Sequence, residues 1–451
     1  MTAQLATSLA KLGQGLAGLQ MMELRGQVHS VRGMELAVVG LGRLARIGGQ
    51  VLVAGRVRGE IVFVSEGEAR VVPFGNWEGI AAGDEVLLIR ATPSIRPDMG
   101  WIGRVVDAFG QPLDEEALVQ GASEYPLRAD APDAFTRREV GAKMQSGIRA
   151  LDIFVPICRG QRIGVFAGSG VGKSTLMGML ARNSMADVFV IGLVGERGRE
   201  VQSFIRHELG PEGMKRSVLV VATSDRPALT RRQAAWTATS IAEYFRDQGL
   251  HVLLMIDSIT RFAMAQREIG LSAGEPPTSR GYTPTVFTEL PRLLERSGPG
   301  MAHSGQGDIT AVYTVLVDGD DTNEPISDTV RGILDGHVML DRTIAERGRY
   351  PAVNVLKSIS RMLPRCHNDA ENLLLGTARR ALARYAEMEE LIRLGAYQAG
   401  SDPELDRAIR LMARETDILA QSPTEALPSD VAFANLYGIL LECGFDLPRA
   451  G

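Results

Sequence analysis

Residues 23–95 alternate short β-branched runs with glycine-rich turns. Val51–Val53, Glu60–Val64, Ala69–Val72 and Glu85–Arg90 are too short for helices and suit a pleated, half-buried surface. They predict a small all-β domain, a barrel, whose end is punctuated by Pro93 and Pro97. From about residue 96 to 370 the pattern changes. Gly160–Phe166, Asp187–Val194, Ser217–Ala222, Val252–Ile256 and Ile309–Val317 are near-continuous apolar runs. Helices are expected between them, from about Lys173 to Asn183 and Thr230 to Gln248. Apolar strands separated by helices predict an α/β fold with a parallel sheet covered on both faces. Residues 371–451 return to a helical period, clearest over Ala381–Leu394, and Pro403, Pro423, Pro428 and Pro448 divide the rest of the chain.

Residues 1–22 stand apart. Leu5, Leu9, Leu12, Leu16 and Leu19 would share one face of a helix, while Gly13, Gly15 and Gly18 weaken it. A short helix that folds against a partner and an ordinary helix packed on its own chain are equal readings. Membrane-surface binding gains little, because Lys11 is the segment's only cationic side chain.

Composition narrows the field. The 451-residue chain has 54 acidic and 49 basic residues, a formal net charge of −5, which argues against a protein that coats nucleic acid. Only five of the basic residues are lysine, so Lys173, which falls inside a motif, stands out. Cys158, Cys366 and Cys443 form neither a disulfide framework nor a zinc spacing, and a reducing cytoplasm suits them. No apolar run approaches the ~20 residues that cross a bilayer, and the first twenty-two residues lack the basic start of a secretory signal.

Three segments carry candidate chemistry. Ala167-Gly168-Ser169-Gly170-Val171-Gly172-Lys173-Ser174, with Thr175 next in the chain, lies between an expected strand and an expected helix. That is the context of a phosphate-binding P-loop: glycines turn backbone N–H groups toward phosphates, Lys173 reaches the β- and γ-phosphates, and the Ser174 hydroxyl faces Mg²⁺. Its first position is alanine where the pattern usually has glycine. Asp257 ends the run Val252–Ile256, at the strand edge where ligands bind in open sheets; it would hold Mg²⁺, or else cap a helix. Glu196 follows the run Asp187–Val194 after one glycine, in Gly195-Glu196-Arg197-Gly198-Arg199-Glu200. It would orient an attacking water, or belong to a surface charge cluster of i,i+3 and i,i+4 pairs.

These segments resemble the catalytic subunit of rotary ATP synthases, and more closely the ATPases of type III protein export. Gly103–Asp107, Gln145–Asp152, Leu254–Arg261 and Tyr350-Pro351-Ala352-Val353 add to the likeness, which spans about residues 24–440. Gly198 stands where the rotary subunit has threonine, and the rotary subunit's acidic lever loop is absent. Ala396–Pro403 resembles the flagellar branch of the export family. The resemblance implies a RecA-like P-loop ATPase core with an N-terminal β-barrel and a C-terminal helical domain. The expected division is 1–22 as a partner-binding segment, 23–95 as barrel, 96–370 as ATPase domain and 371–451 as helical domain.

By the same resemblance Glu196 is the water-polarising carboxylate and Arg197 the charge that organises it. Tyr350 stacks on adenine, and Arg361, in Ser358-Ile359-Ser360-Arg361, is an arginine finger for a neighbouring copy. Because Glu196 and Arg361 lie on one chain, identical subunits would complete a site at every interface, which predicts a homo-hexamer. The implied activity is Mg²⁺-dependent ATP hydrolysis that energises flagellar protein export. The protein would be cytoplasmic, docked at the cytoplasmic face of the export apparatus, with peripheral membrane association at most. Implied partners are an export regulator at the N-terminal segment, a central coiled-coil stalk, the export gate, chaperones and export substrates, and no nucleic acid. The rival readings are an injectisome ATPase, a rotary catalytic subunit, a non-catalytic nucleotide-binding ring subunit and a ring helicase.

Overall fold

The computed structural model describes residues 23–33, 35–114, 116–317 and 324–448; the leucine-lined segment 1–22 lies outside them. The described residues fall into two compact units, one reaching Pro93 and the other beginning at Ser94.

The first unit is a closed six-stranded barrel of β1 (Arg25–Arg32), β2 (Glu35–Val39), β3 (Gln50–Val53), β4 (Val57–Ser65), β5 (Glu68–Pro73) and β6 (Glu85–Arg90). Its strand order is β1-β2-β5-β4-β3-β6, and antiparallel pairing of Arg25 with Leu87 closes it. Val28, Leu36, Val38, Val51, Val53, Ile61, Val71 and Val86 fill the interior. Closure leaves no free sheet edge on which another chain could pair.

The second unit is built on a nine-stranded sheet. Eight strands are β7 (Val105–Val106), β8 (Arg162–Ala167), β9 (Val188–Val194), β10 (Ser217–Ala222), β11 (Val252–Asp257), β12 (Asp308–Leu316), β13 (Gly336–Leu340) and β14 (Ile359–Ser360). They run in the order β14-β13-β8-β12-β11-β9-β10-β7, and Gly298–Pro299 pairs with β12 off this path. Pairing from β13 to β7 is parallel; β14 and Gly298–Pro299 are antiparallel additions. Alternate residues of each strand face opposite sides, and both sides are covered. Phe189, Ile191 and Leu193 pack in one core, Val188, Val190 and Val194 in the other. Burial on both faces is why these runs read as continuously apolar.

Helix α1 (Lys173–Asn183) covers one face and α3 (Ala228–Asp247) the other; between them in sequence lies the short α2 (Gly198–Ser203). Helix α4 (Asp369–Arg393) begins well before the periodic stretch Ala381–Leu394. Three consecutive leucines blur the period there: Leu374 and Leu375 are buried, while Leu373 faces solvent. A capping box between Asn368 and Glu371 fixes the helix start, and Lys143 Nζ pairs with Glu371 at 2.9 Å.

The C-terminal helices share the α1 core. Leu405, Leu411, Leu436 and Leu440 pack in the same cluster as Ile148, Leu151 and Phe154. Gln421 fastens them further. Its amide donates to Gly147 O at 2.7 Å and its backbone N–H to Tyr350 O at 2.9 Å. No described helix is long and apolar enough to cross a membrane.

Candidate active site

Strand β8 ends at Ala167 and α1 begins at Lys173, so the P-loop bridges a buried strand and a helix start. Gly170 and Gly172 adopt φ of +77° and +95°, a region L side chains rarely enter. A methyl on Gly172 would also sit 3.6 Å from the Tyr350 ring. The alanine at the loop's first position is explained by its place: Ala167 is still in the strand, with its methyl in the core beside Val165 and Leu340. The loop borders a 420 Å³ cavity shared with Glu196, Arg197, Glu200 and Arg261.

Three parallel strands end at this cavity and bring its charges together. Lys173 Nζ pairs with Asp257 Oδ1 and lies 3.5 Å from Glu196 Oε1. The Thr314 hydroxyl, from β12, donates to Asp257 Oδ1 at 2.7 Å. Burial alone would lower the Lys173 ammonium, but the charges of Asp257 and Glu196 outweigh it and hold it above its ordinary range. Glu196 shifts up to about 7, first because it is buried and then because the Asp257 charge opposes its own; Lys173 pulls the other way. A carboxylate titrating near neutrality in a cleft beside a phosphate cradle suits work on water.

The other sequence-derived candidates divide. Tyr350 stands beside Gly172 of the P-loop and is 45% exposed. Arg197 does not touch Glu196. It is exposed and pairs with Glu200 at 3.3 Å, the i,i+3 geometry of a solvated charge pair. Arg361 is remote from its own P-loop. It follows β14, which pairs with β13 at Gly336, whereas the P-loop strand meets β13 at Leu340. Those pairings lie four residues apart along one strand, about 13 Å. Arg361 borders a separate 710 Å³ cavity with Arg137, Arg162 and Arg365.

Two cleft residues received no role from the sequence. Thr314 is a polar residue inside an apolar strand, a visible but unspecific signal. Arg261 follows Asp257 by four residues, and its side chain packs where a Gly195 methyl would stand, 3.0 Å from its Cβ. Ser174 is exposed to the cleft and Asp257 is buried behind Lys173. Together they offer hydroxyl and carboxylate oxygens only, the hard donor set that suits Mg²⁺.

Comparison with known proteins identifies the family and the fold. Residues 147–360 match the nucleotide-binding domain of the ATP synthase alpha/beta family. Residues 369–437 match the C-terminal domain of the EscN ATPase of type III secretion. The flagellum-specific ATP synthase of Caulobacter vibrioides is 51% identical over 432 residues, covering 93% of this chain and 96% of that protein. That of Bacillus subtilis is 52% identical over 373 residues, covering 82% and 83%. The assembled ATPase EscN from the enteropathogenic E. coli type III secretion system superposes with a TM-score of 0.86 at 39% identity, covering 92% of this chain and all of that one. EscN has also been solved in complex with its central stalk EscO, with a TM-score of 0.84.

Proposed function

The chain belongs to the ATP synthase alpha/beta family, in the branch of the flagellum-specific ATP synthases and type III secretion ATPases, and from that premise we propose how its residues share out ATP hydrolysis. It is an ATP hydrolase that serves flagellar protein export. The observation that supports the division of labour is the position of Lys173, drawn between Asp257 and Glu196 at the end of a P-loop.

When ATP binds, the P-loop N–H groups and Lys173 take the phosphates, and Lys173 leaves the two carboxylates. Thr175 and the backbone of Ala167–Ser174 complete the cradle, and the Tyr350 ring stacks on the adenine. Magnesium, held by the Ser174 hydroxyl and Asp257, would supply charge neutralisation across the β- and γ-phosphates. Glu196, no longer held by Lys173, orients a water in line with the γ-phosphorus and accepts its proton as the new P–O bond forms and ADP departs. Arg197, lying beside Glu196 in sequence, adds positive charge at the cleft rim. Arg361 of a neighbouring copy stabilises the charge spread over the transferring group.

A homo-hexamer closes such shared interfaces into a ring. The EscN–EscO complex supports a central stalk partner for this chain as well. An export regulator on residues 1–22, the export gate, chaperones and substrates at the cytoplasmic face complete the proposed setting.

The test is turnover by this chain alone. Purified protein with Mg²⁺ should hydrolyse ATP without a second ATPase chain, and Glu196→Gln should abolish turnover while nucleotide still binds. Unchanged turnover in Glu196→Gln would remove the catalytic reading.

A further inference from the structure

The run that carries Glu196 into the fold does not end at the cleft. Helix α2 continues into a π-helical turn, Phe204–Leu209, whose wider register is uncommon and recurs at functional sites. Phe204 and Leu209 anchor this turn in the core. Between them, Glu208 is aimed at the start of α1. The Thr175 hydroxyl donates to Glu208 Oε1 at 3.1 Å.

The approach is close by construction. Gly178 lies three residues after Thr175, on the same face of α1. A methyl there would stand 2.8 Å from both Cβ and the carbonyl O of Glu208, inside van der Waals contact. The absent side chain lets the turn settle against the helix. Thr175 in turn lines the nucleotide cavity directly after Ser174.

We infer that Glu208 is a positioning residue, which through Thr175 registers the P-loop helix against the run bearing Glu196 and so sets where Glu196 stands relative to the γ-phosphate. Glu196 lies two residues before α2, and α2 passes without a loop into the turn that carries Glu208. The run is therefore pinned at both ends, by Lys173 at Glu196 and by Thr175 at Glu208. When nucleotide takes Lys173 away, the Thr175–Glu208 bond still ties the P-loop helix to the run. This inference rests on the assignment of Glu196 as the carboxylate that orients water.

Length and charge at position 208 separate this role from an electrostatic one. Glu208→Gln keeps the reach and an acceptor oxygen; Glu208→Asp keeps the charge but falls a methylene short of Thr175. The expected result is kcat within twofold of wild type for Glu208→Gln. Glu208→Asp and Glu208→Ala should lose about 5–10-fold in kcat, the worth of one hydrogen bond, with KM for ATP moved less than threefold. Gly178→Ala, which pushes the turn away and leaves the carboxylate intact, should show the same split. Full activity in Glu208→Asp with loss in Glu208→Gln would mean that charge matters, and would overturn the proposal. So would wild-type kcat in Glu208→Ala, or a change confined to KM. Glu196→Gln measured beside them tells the two failures apart. If it is inactive while the Glu208 variants behave as wild type, only the positioning role falls.

Discussion

Lys173 Nζ stands 3.5 Å from Glu196 Oε1, so the cation proposed to bind phosphate is paired with the carboxylate proposed to handle water. The two roles exclude one another in time, which gives Glu196 a dependence on pH that can be measured without substrate. Its carboxyl is raised from 4.5 to about 7 in the folded protein, with burial the largest cause. A carboxyl raised on folding binds more protons in the native state than in the unfolded one. Its contribution to stability is therefore fully present below about pH 4.5 and is lost as pH rises through about 7. Urea unfolding of wild type and Glu196→Gln across that window should show the difference between the curves changing by at most ~3 kcal/mol. A constant difference from pH 4 to 8 would mean that Glu196 titrates at its ordinary value.

The same cluster makes Lys173 structural as well as functional. Asp257 is 4% exposed, and removing the ammonium leaves a buried carboxylate that keeps the Thr314 hydroxyl as a donor but faces the Glu196 carboxyl with no cation between them. Lys173→Met should abolish turnover and lower stability at pH 8 by about 3 kcal/mol, the usual cost of an orphaned buried charge. At pH 5, below the value near 7 to which Glu196 is raised, Glu196 is protonated and no longer repels the Asp257 charge, so the destabilisation should shrink. Equal loss at both pH values would point to packing and not to charge.

The parts of this site legible in the sequence are those whose chemistry is local. The P-loop announces itself because glycines, lysine and serine act at fixed short spacings between a strand and a helix. The buried strands β8 to β12 are readable because both faces are apolar, and Asp257 and Glu196 stand out at strand ends for the same reason. Thr314 and Glu208 carry no such signal. Each matters only through a residue far away in sequence, Asp257 and Thr175, and nothing along the chain marks the pairing. Strands β7 and β14 are two residues long and form only as edges of a sheet already built. The start of α4 is obscured by the run of leucines at 373–375, where burial and not spacing decides which one faces the core.

Gly172 joins the loop's conformation to the Tyr350 ring, proposed above to stack on adenine. Gly172→Ala forces an L side chain to φ +95° and sets its methyl 3.6 Å from the Tyr350 ring. The strain of such a conformation is about 1–3 kcal/mol. The variant should raise KM for ATP at least tenfold, and thermal melting should show the strain as a lowered Tm. Tyr350→Leu should raise KM by a smaller factor with no loss in Tm, because its ring is half exposed and carries little of the core. Equal KM in both variants and wild type would separate Tyr350 and the loop's left-handed turn from nucleotide binding.

Arg361 yields the strictest test, because its position forbids one of two readings. It lies at the end of β13 opposite the P-loop, beside a cavity lined by Arg137, Arg162 and Arg365. It cannot serve its own site, so a copy lacking Arg361 still carries an intact P-loop and Glu196. A copy lacking Glu196 still offers an intact Arg361. Glu196→Gln and Arg361→Ala should each reduce turnover by about 10³-fold or more when alone. Mixed in equal amounts and allowed to exchange copies, they should recover activity, because about a quarter of the interfaces in a random ring pair a sound Glu196 with a sound Arg361. Recovery should appear only at protein concentrations that support assembly, and should vanish when the double variant replaces either partner. Mixtures that stay as inactive as their components, although sedimentation shows them assembled together, would place Arg361 outside the shared site.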